Sequence, residues 1–167
     1  DEEVAEVYRV YERLCRQNNA LDFDDLLLRT AQLMNTHEEF LQYWQERFQY
    51  ILIDEYQDTN RPQYVIASRL AARHHNICAT GDPDQSIYAW RGADINNILD
   101  FQKDYPNALT VKLEENFRST KMILKAADGV IKKNKERIDH GIWTNNEAGA
   151  PVQVIDSGTD IDEADAV

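Results

Sequence analysis

The most constraining feature of the sequence is a short apolar run that ends abruptly in two acids. Residues 50–53, YILI, are followed directly by Asp54 and Glu55, the pattern of a buried parallel strand with carboxylates at its carboxyl end. A second run, residues 76–80, ends in the same way at Gly81 and Asp82. In open α/β sheets, ligands bind beyond the carboxyl ends of the strands. The two runs therefore predict parallel strands whose terminal acids are placed for chemistry.

Helical patterns precede and follow these runs. Apolar residues at three- and four-residue steps predict a helix over most of residues 1–17, and Asp22 is placed to cap a second helix, with a third at about 37–48. Later in the chain the patterns predict helices starting near Asn60, from Asp94 through about Lys103, after Ser119 and from about Asp160, and strands at residues 108–113 and 152–155. The expected fold class is α/β, with a helical segment followed by a parallel sheet and its flanking helices.

Composition and charge narrow the class of protein. The chain has 167 residues and 43% hydrophobic content, which is ordinary for a soluble globular protein. No apolar run approaches the roughly 20 residues of a membrane helix and no secretory signal pattern is present, so we expect a cytoplasmic chain without a membrane partner. The net charge of -12, from 30 acids against 18 bases, argues against a freestanding, non-specific DNA binder because it would repel a phosphate backbone.

The segment DEYQDTN, residues 54–60, carries the strongest chemical signal. Two adjacent carboxylates at a strand end suit nucleotide hydrolysis, because one can hold Mg²⁺ while the other orients or deprotonates the attacking water. The alternative is a solvated acidic turn that caps the next helix. The complete seven-residue string after a strand favours the catalytic interpretation.

A second segment, GDPDQSIYAWRGA, occupies residues 81–93. Gln85 can hydrogen-bond a phosphate oxygen or a water, whereas Tyr88, Trp90 and Arg91 offer flat faces and a cation to unpaired bases. Tyr88 and Trp90 are two residues apart, so in an extended chain they would face the same way. The alternative is an aromatic pair that fills a hydrophobic core.

A third segment, LEENFRST, occupies residues 113–120 between a predicted strand and a predicted helix. A guanidinium at such a junction, here Arg118, can reach the γ-phosphate of a nucleotide and stabilise transition-state charge. The alternative is a surface arginine paired with Glu114 or Glu115.

In this order, the three segments resemble motifs II, III and IV of UvrD/Rep/PcrA-type superfamily 1 DNA helicases. LDFDDLL at residues 21–27 and the Trp143-Thr144 pair are also similar to that family, so the likeness covers nearly the whole chain. The resemblance implies a partial RecA-like sheet of the P-loop NTPase type, with the end of a helical insertion, in residues 1–107. Residues 108–167 would begin a second RecA-like motor domain. It further implies an ATP-dependent enzyme that moves 3′ to 5′ on single-stranded DNA, acts at single-strand/double-strand junctions and works on the nucleoid in repair or replication.

The resemblance also assigns roles to individual residues. Asp54 would hold Mg²⁺, Glu55 would be the catalytic base, and Gln85 would sense the γ-phosphate and couple it to DNA. Arg118 would act on ATP across the cleft between the motor domains, and Phe117, where the family often has Tyr, would stack on adenine. The residues that would contact single-stranded DNA are Tyr88, Trp90 and Arg91.

One part of the ATP site is missing from this chain. The family binds phosphates through a glycine-rich loop that ends in Gly-Lys-Ser/Thr, and none of the six glycines here is followed by lysine. We therefore expect the chain alone to hydrolyse ATP negligibly and the remaining segments of the full-length helicase to complete the site. Two alternatives stay open: a non-catalytic helicase-like module that binds DNA or protein, and the related helicase-nuclease class.

Overall fold

The computed structural model describes residues 2–134 and 141–167. The chain forms two compact units, residues 1–104 and 105–167. The elements of the first unit are α1 (Glu2–Gln17), α2 (Phe23–Thr36), α3 (Glu38–Arg47), β1 (Ile51–Ile53), α4 (Arg61–Ala71), β2 (Ile77–Ala79), α5 (Asn96–Leu99) and α6 (Phe101–Asp104). In its described residues, the second unit contains α7 (Lys121–Ile131) and α8 (Asp160–Ala166).

A small parallel sheet lies in the first unit. β1 pairs with β2 in parallel, with Ile51 opposite Ile77 and Ile53 opposite Ala79. Helices together with a parallel strand pair confirm the α/β class. The expectation of a buried strand is wrong for Leu52 of β1, whose side chain is 79% exposed. Helix α4 packs on β1, and the side of the sheet that carries Leu52 has no cover among the described residues.

The core of the first unit lies where α2, α3 and α4 pack together. Its buried apolar side chains include Ala31 and Met34 of α2, Leu41 of α3 and Ala71 of α4. A buried polar contact crosses the same interface, since the Nε2 of Gln45 donates to the Arg69 carbonyl oxygen at 2.7 Å. The three helices pack against one another, and α4 also packs on β1, the strand that leads into the acidic loop.

The predicted Asp22 cap of α2 is present, and α4 starts near Asn60 as expected. The Asp22 carboxylate accepts from the Asp25 backbone N–H at 2.8 Å, and an accepted bond of this kind satisfies one of the unpaired N–H groups of a first turn. Asn60 and Gln63 form a reciprocal capping box at the start of α4. Asn60, rather than an acid of the preceding turn, therefore caps the helix that follows β1.

Helix α1 is attached to α2 by polar contacts. The Tyr11 hydroxyl donates to Asp22 at 2.8 Å, and Arg29 of α2 bridges Glu12 at 3.2 Å and Asp25 at 3.1 Å. The Asp25 backbone N–H and the Tyr11 hydroxyl, in that order of effect, lower the pKa of the Asp22 carboxyl. The LDFDDLL segment therefore fastens the first two helices to each other.

Two predicted strands are wrong. Residues 108–113 and 152–155 have no strand structure, and the apolar side chains that prompted the predictions are largely exposed, with Leu109 at 88% and Val154 at 93%. A strand requires a second backbone as hydrogen-bonding partner, and these segments pair with none of the described residues in a ladder. Near them, a parallel bridge pairs Glu115 with Trp143.

Two helix starts also differ from the expectation. Thr120, not Ser119, is the N-cap residue of α7, and its side chain makes no capping hydrogen bond. The Ser119 backbone N–H donates to Asn116 in the turn before the helix. The helix expected from Asp94 to Lys103 is divided into α5 and α6 at Asp100. The expected helix from Asp160 is present as α8, with Thr159 as its N-cap.

Candidate functional site

The carboxyl ends of β1 and β2 lie side by side. The Thr80 backbone N–H donates to the Ile53 carbonyl oxygen at 2.8 Å, and the Tyr56 N–H donates to the Thr80 carbonyl oxygen at 3.0 Å. Backbone pairing thus continues past the strands into the loops that follow. The sequence prediction that two strands end in carboxylates is confirmed, and the parallel register brings those ends to the same edge.

Asp54 and Glu55 occupy the first of these loops. Both side chains are exposed, and the Glu55 backbone N–H donates to the Asp54 carboxylate at 3.0 Å. Glu55 adopts the left-handed conformation with φ 52°, which is uncommon for a residue other than glycine. Strained backbone of this kind is concentrated at functional sites, and here it turns the chain sharply from the strand into the Tyr56–Asp58 3₁₀ turn.

Gln57 joins the two loops, a role that the sequence did not reveal. Its side chain is 1% exposed. The amide nitrogen donates to Glu55 Oε2 at 2.8 Å and to Asp58 Oδ2 at 3.3 Å, while the amide oxygen accepts from the Asp82 backbone N–H at 3.0 Å. The loop after β1 is therefore bound to the loop after β2 through one buried side chain.

Gln85 lies at the end of a short 3₁₀ turn, Pro83–Gln85, that Asp82 caps. Its exposed side chain donates from Nε2 to Asp82 Oδ2 at 2.8 Å, so it remains on the same edge of the sheet as the Asp54–Glu55 loop. Asp82 also accepts from the Asp84 backbone N–H at 2.9 Å. The structure thus brings three predicted residues, Asp54, Glu55 and Gln85, onto two loops that are hydrogen-bonded to each other.

The chemistry of this edge fits Mg²⁺ bound together with a nucleotide. Mg²⁺ is usually held by one or two carboxylates, with waters and substrate phosphates completing the octahedron. Asp54 presents an exposed carboxylate next to Glu55, and the described residues contain no cluster of three or more His, Cys, Asp or Glu side chains that would form a protein-only metal cage. Asp54 is the residue that would hold the ion.

Tyr88, Trp90 and Arg91 form an exposed aromatic and cationic cluster. The Arg91 guanidinium lies 4.5 Å from the centre of the Trp90 ring and 5.3 Å from that of Tyr88. The expectation of an extended chain is wrong, because Ala89–Arg91 form a 3₁₀ turn, yet the two rings still lie 6.3 Å apart. Trp90 is 73% exposed, so the alternative of a core-filling pair is also wrong.

The segment after this cluster returns to the loop that follows β1. The Asp94 backbone N–H donates to the Thr59 carbonyl oxygen at 3.0 Å, and buried Asn97 donates to the carbonyl and hydroxyl oxygens of Thr59 at 3.0 and 3.1 Å. An antiparallel bridge pairs Asn60 with Ala93. The aromatic cluster therefore lies on a loop that is attached at both ends to the acidic loop.

Phe117 and Arg118 belong to the second unit. Asn116 accepts from the backbone N–H groups of Arg118 and Ser119 at 3.0 and 2.8 Å, and Asn146 donates to the Phe117 and Ser119 carbonyl oxygens at 3.2 and 3.0 Å. These contacts shape a turn that exposes the side chains of Phe117 and Arg118, with Phe117 at 79%. Arg118 forms no ion pair with Glu114 or Glu115.

The sequence reasoning missed three residues that shape these loops, Gln57, Asn116 and Asn146. Asn side chains often hydrogen-bond the backbone two residues further on in a turn, and Asn116 does so by accepting from the Arg118 N–H. Gln57 and Asn146 act on backbone groups far along the chain, so spacing alone gives no sign of them.

Two family models match the chain: the UvrD/REP helicase N-terminal domain over residues 1–106 and the UvrD-like helicase C-terminal domain over residues 111–167. The chain belongs to the UvrD/REP helicase family. It is 53% identical over 164 residues to proteins named ATP-dependent DNA helicase PcrA from Staphylococcus epidermidis and Staphylococcus aureus. These alignments cover 98% of this chain and 22% of each relative, so the chain spans about a fifth of the length of the curated relatives it matches.

None of the helices in the described ranges combines the length and the apolar character needed to cross a membrane.

Proposed function

We propose that this chain is part of an ATP-dependent DNA helicase that couples hydrolysis of Mg²⁺-bound ATP to 3′-to-5′ movement on single-stranded DNA. Membership of the helicase family supports the activity. The observation that carries the proposal is the continuity of the first unit, in which two hydrogen-bonded loops at one sheet edge lead directly into the exposed aromatic and cationic cluster. A place for nucleotide hydrolysis and a surface for unpaired bases are thus parts of one connected segment.

The proposed ATP-binding residues of the first unit are Asp54, Glu55 and Gln85. Asp54 would hold Mg²⁺, which would supply positive charge that stabilises the phosphates of ATP. Glu55 accepts a proton from the attacking water, and the Gln85 amide contacts the γ-phosphate. The hydrogen bond of Gln85 to Asp82 at 2.8 Å keeps the amide at this edge until a phosphate oxygen replaces the carboxylate as its partner.

Phe117 and Arg118 are the proposed nucleotide contacts of the second unit. Phe117 stacks on adenine, and Arg118 places a permanent positive charge beside the γ-phosphate, where such a charge raises the rate roughly 10³- to 10⁵-fold in the systems measured. The exposure of Phe117 and the absence of an ion pair to Arg118 from Glu114 or Glu115 support these roles. In this proposal, residues 1–107 belong to a first RecA-like motor domain and residues 108–167 begin a second.

The proposed DNA contact is the cluster of Tyr88, Trp90 and Arg91. Stacking on aromatic rings contributes roughly 1–3 kcal/mol per base and is tolerant of sequence, which suits a motor that must pass along any strand. The partners are single-stranded DNA and its junctions with duplex, in the cytoplasm on the nucleoid, and the remaining segments of the helicase supply the phosphate-binding loop that is absent from these residues.

The test is Mg²⁺-dependent ATP hydrolysis by the full-length protein, measured with and without single-stranded DNA. Glu55→Gln serves as the control for contaminating enzyme, because it keeps the shape of the side chain and removes the base. The expected result is DNA-stimulated turnover that this substitution lowers roughly 10²- to 10⁴-fold, to a small residual rate. DNA binding without any turnover above the Glu55→Gln control would instead favour a non-catalytic module.

A further inference from the structure

Gln57 is a buried polar side chain whose hydrogen bonds all lead to the proposed catalytic loops. A buried amide is costly unless its donors and acceptor are satisfied. Gln57 satisfies them with the Glu55 and Asp58 carboxylates on one side and the Asp82 backbone N–H on the other. Both hydrogens and the carbonyl oxygen of the amide are therefore engaged between the loop after β1 and the loop after β2.

The chemistry of these partners fixes the direction of the amide. An ionised carboxylate only accepts hydrogen bonds and a backbone N–H only donates. Turning the amide by 180° would place its oxygen against the Glu55 carboxylate and its NH₂ group against the Asp82 N–H, and would lose all three bonds. Gln57 consequently presents a hydrogen-bond donor to Glu55 in the one orientation that the site permits.

Glu55 depends on this donor for its position. Its side chain is exposed and its backbone is in the left-handed conformation, so packing does not fix the carboxylate. Among residues 2–134 and 141–167, the Gln57 amide is the one hydrogen-bond donor to the Glu55 side chain, at 2.8 Å. A general base must be held within hydrogen-bond reach of the proton that it accepts.

We propose that Gln57 is the positioning residue of the ATP-hydrolysing loop. It directs the Glu55 carboxylate and fastens it to the Asp82 backbone, three residues before Gln85. The inference rests on the proposed function, in which Glu55 is the base. Beyond that function, Gln57 aligns the Glu55 carboxylate with the loop that carries Gln85.

Gly81 supports this arrangement by leaving room for the amide. A Cβ atom at position 81 would lie 2.5 Å from the Gln57 side-chain oxygen, closer than Cβ contacts allow. The Gln57 oxygen therefore occupies the space that any other residue at position 81 would fill.

The inference is tested by steady-state kinetics of the full-length protein with Gln57→Met, which retains the length of the side chain and removes the amide. The matched control is Gln63→Met, since Gln63 bonds only within the α4 capping box among the described residues. With single-stranded DNA present, Gln57→Met should lower kcat about tenfold, a part of the roughly 10²- to 10⁴-fold contribution of a general base. KM for ATP should change less than about twofold, and Gln63→Met should leave kcat unchanged.

A double-mutant comparison separates positioning from general damage. In a Glu55→Gln background the base is already absent, so adding Gln57→Met should not lower the residual rate further, because residues that act as one unit are not additive. A further loss in that background would mean that Gln57 acts through the fold as a whole, and an unchanged kcat for Gln57→Met alone would overturn the inference.

Hydrogen exchange gives a readout that does not depend on ATP turnover. In Gln57→Met, backbone amides of residues 80–86 should exchange faster than in wild type or Gln63→Met, because the Asp82 N–H loses its partner. If wild type fails to hydrolyse ATP, the proposed function fails, and unchanged exchange would then remove the link between the loops as well. Active wild type with unchanged exchange and unchanged kcat in Gln57→Met would overturn this inference alone.

Discussion

The Gly81→Ala substitution offers a sharp test of how the two loops are packed. The added methyl carbon would lie 2.5 Å from the Gln57 side-chain oxygen, 2.9 Å from the Ile98 Cδ1 and 3.1 Å from the Tyr56 backbone nitrogen. Ile98 is the end of a flexible side chain and can move. The Gln57 oxygen and the Tyr56 nitrogen cannot move freely, since each is in a hydrogen bond, to the Asp82 N–H and the Thr80 carbonyl at 3.0 Å each.

The expected loss of stability follows from these contacts. Overpacking of a well-packed region costs about 1–3 kcal/mol, and a lost hydrogen bond costs about 0.5–1.5 kcal/mol. We expect Gly81→Ala to lower the free energy of unfolding by about 1–3 kcal/mol, a large part of the roughly 5–15 kcal/mol of a typical domain.

The assay is urea unfolding followed by circular dichroism, with Gly129→Ala as the comparison. Gly129 lies inside α7, and a methyl carbon added there would meet nothing within 4 Å, so alanine at this position should stabilise the protein by roughly 0.5–1 kcal/mol. A Gly81→Ala protein within about 0.5 kcal/mol of wild type, the usual range for surface changes, would refute the close packing of Gly81 against Gln57.

Three further predictions follow from other parts of the chain. Trp90→Ala should weaken binding of single-stranded DNA about 5- to 150-fold, the equivalent of roughly 1–3 kcal/mol of base stacking, as measured by fluorescence anisotropy; unchanged affinity would exclude Trp90 from the DNA surface. Arg118→Lys should retain ATP binding but lower kcat, because a point charge does not replace a planar guanidinium, and full activity would argue against contact with the γ-phosphate. The Asp25 N–H and the Tyr11 hydroxyl lower the pKa of Asp22 in the folded state, so its ionised form stabilises the protein above the ordinary carboxyl pKa, and this effect is lost as the pH falls through the lowered value. Urea midpoints of wild type and Asp22→Ala should therefore differ at pH 7 and converge on acidification, and a gap that stays constant would contradict the assignment.

Local signals in the sequence were sufficient for the Asp22 cap, for the helix start near Asn60 and for the paired strands. Asp22 and Asn60 each bond a backbone N–H three residues ahead, so the partner of each cap lies within the window that a sequence pattern covers. Ile51–Ile53 and Ile77–Ala79 are short apolar runs that end at acids, and parallel pairing brings their ends together. The candidate residues Asp54, Glu55 and Gln85 could be located for the same reason.

Features that depend on distant backbone could not be predicted in this way. Residues 108–113 alternate as a strand does, but the described residues offer no partner strand and Leu113 is 82% exposed. Gln57 is contacted by Asp82, 25 residues further along the chain, and no periodicity links the two. The aromatic cluster was found because its residue types suit stacking, while its 3₁₀ conformation depends on the αL turn at Gly92.

If these residues belong to a 3′-to-5′ DNA helicase, the full-length protein should unwind duplex DNA from a 3′ single-stranded tail. The measurement compares a duplex with a 3′ single-stranded tail, a duplex with a 5′ tail and a blunt duplex, each with Mg²⁺ and ATP. We expect ATP-dependent strand separation of the 3′-tailed duplex by wild type and none by Glu55→Gln. Unwinding of the 5′-tailed duplex alone, or no unwinding by a protein that hydrolyses ATP on single-stranded DNA, would contradict the account.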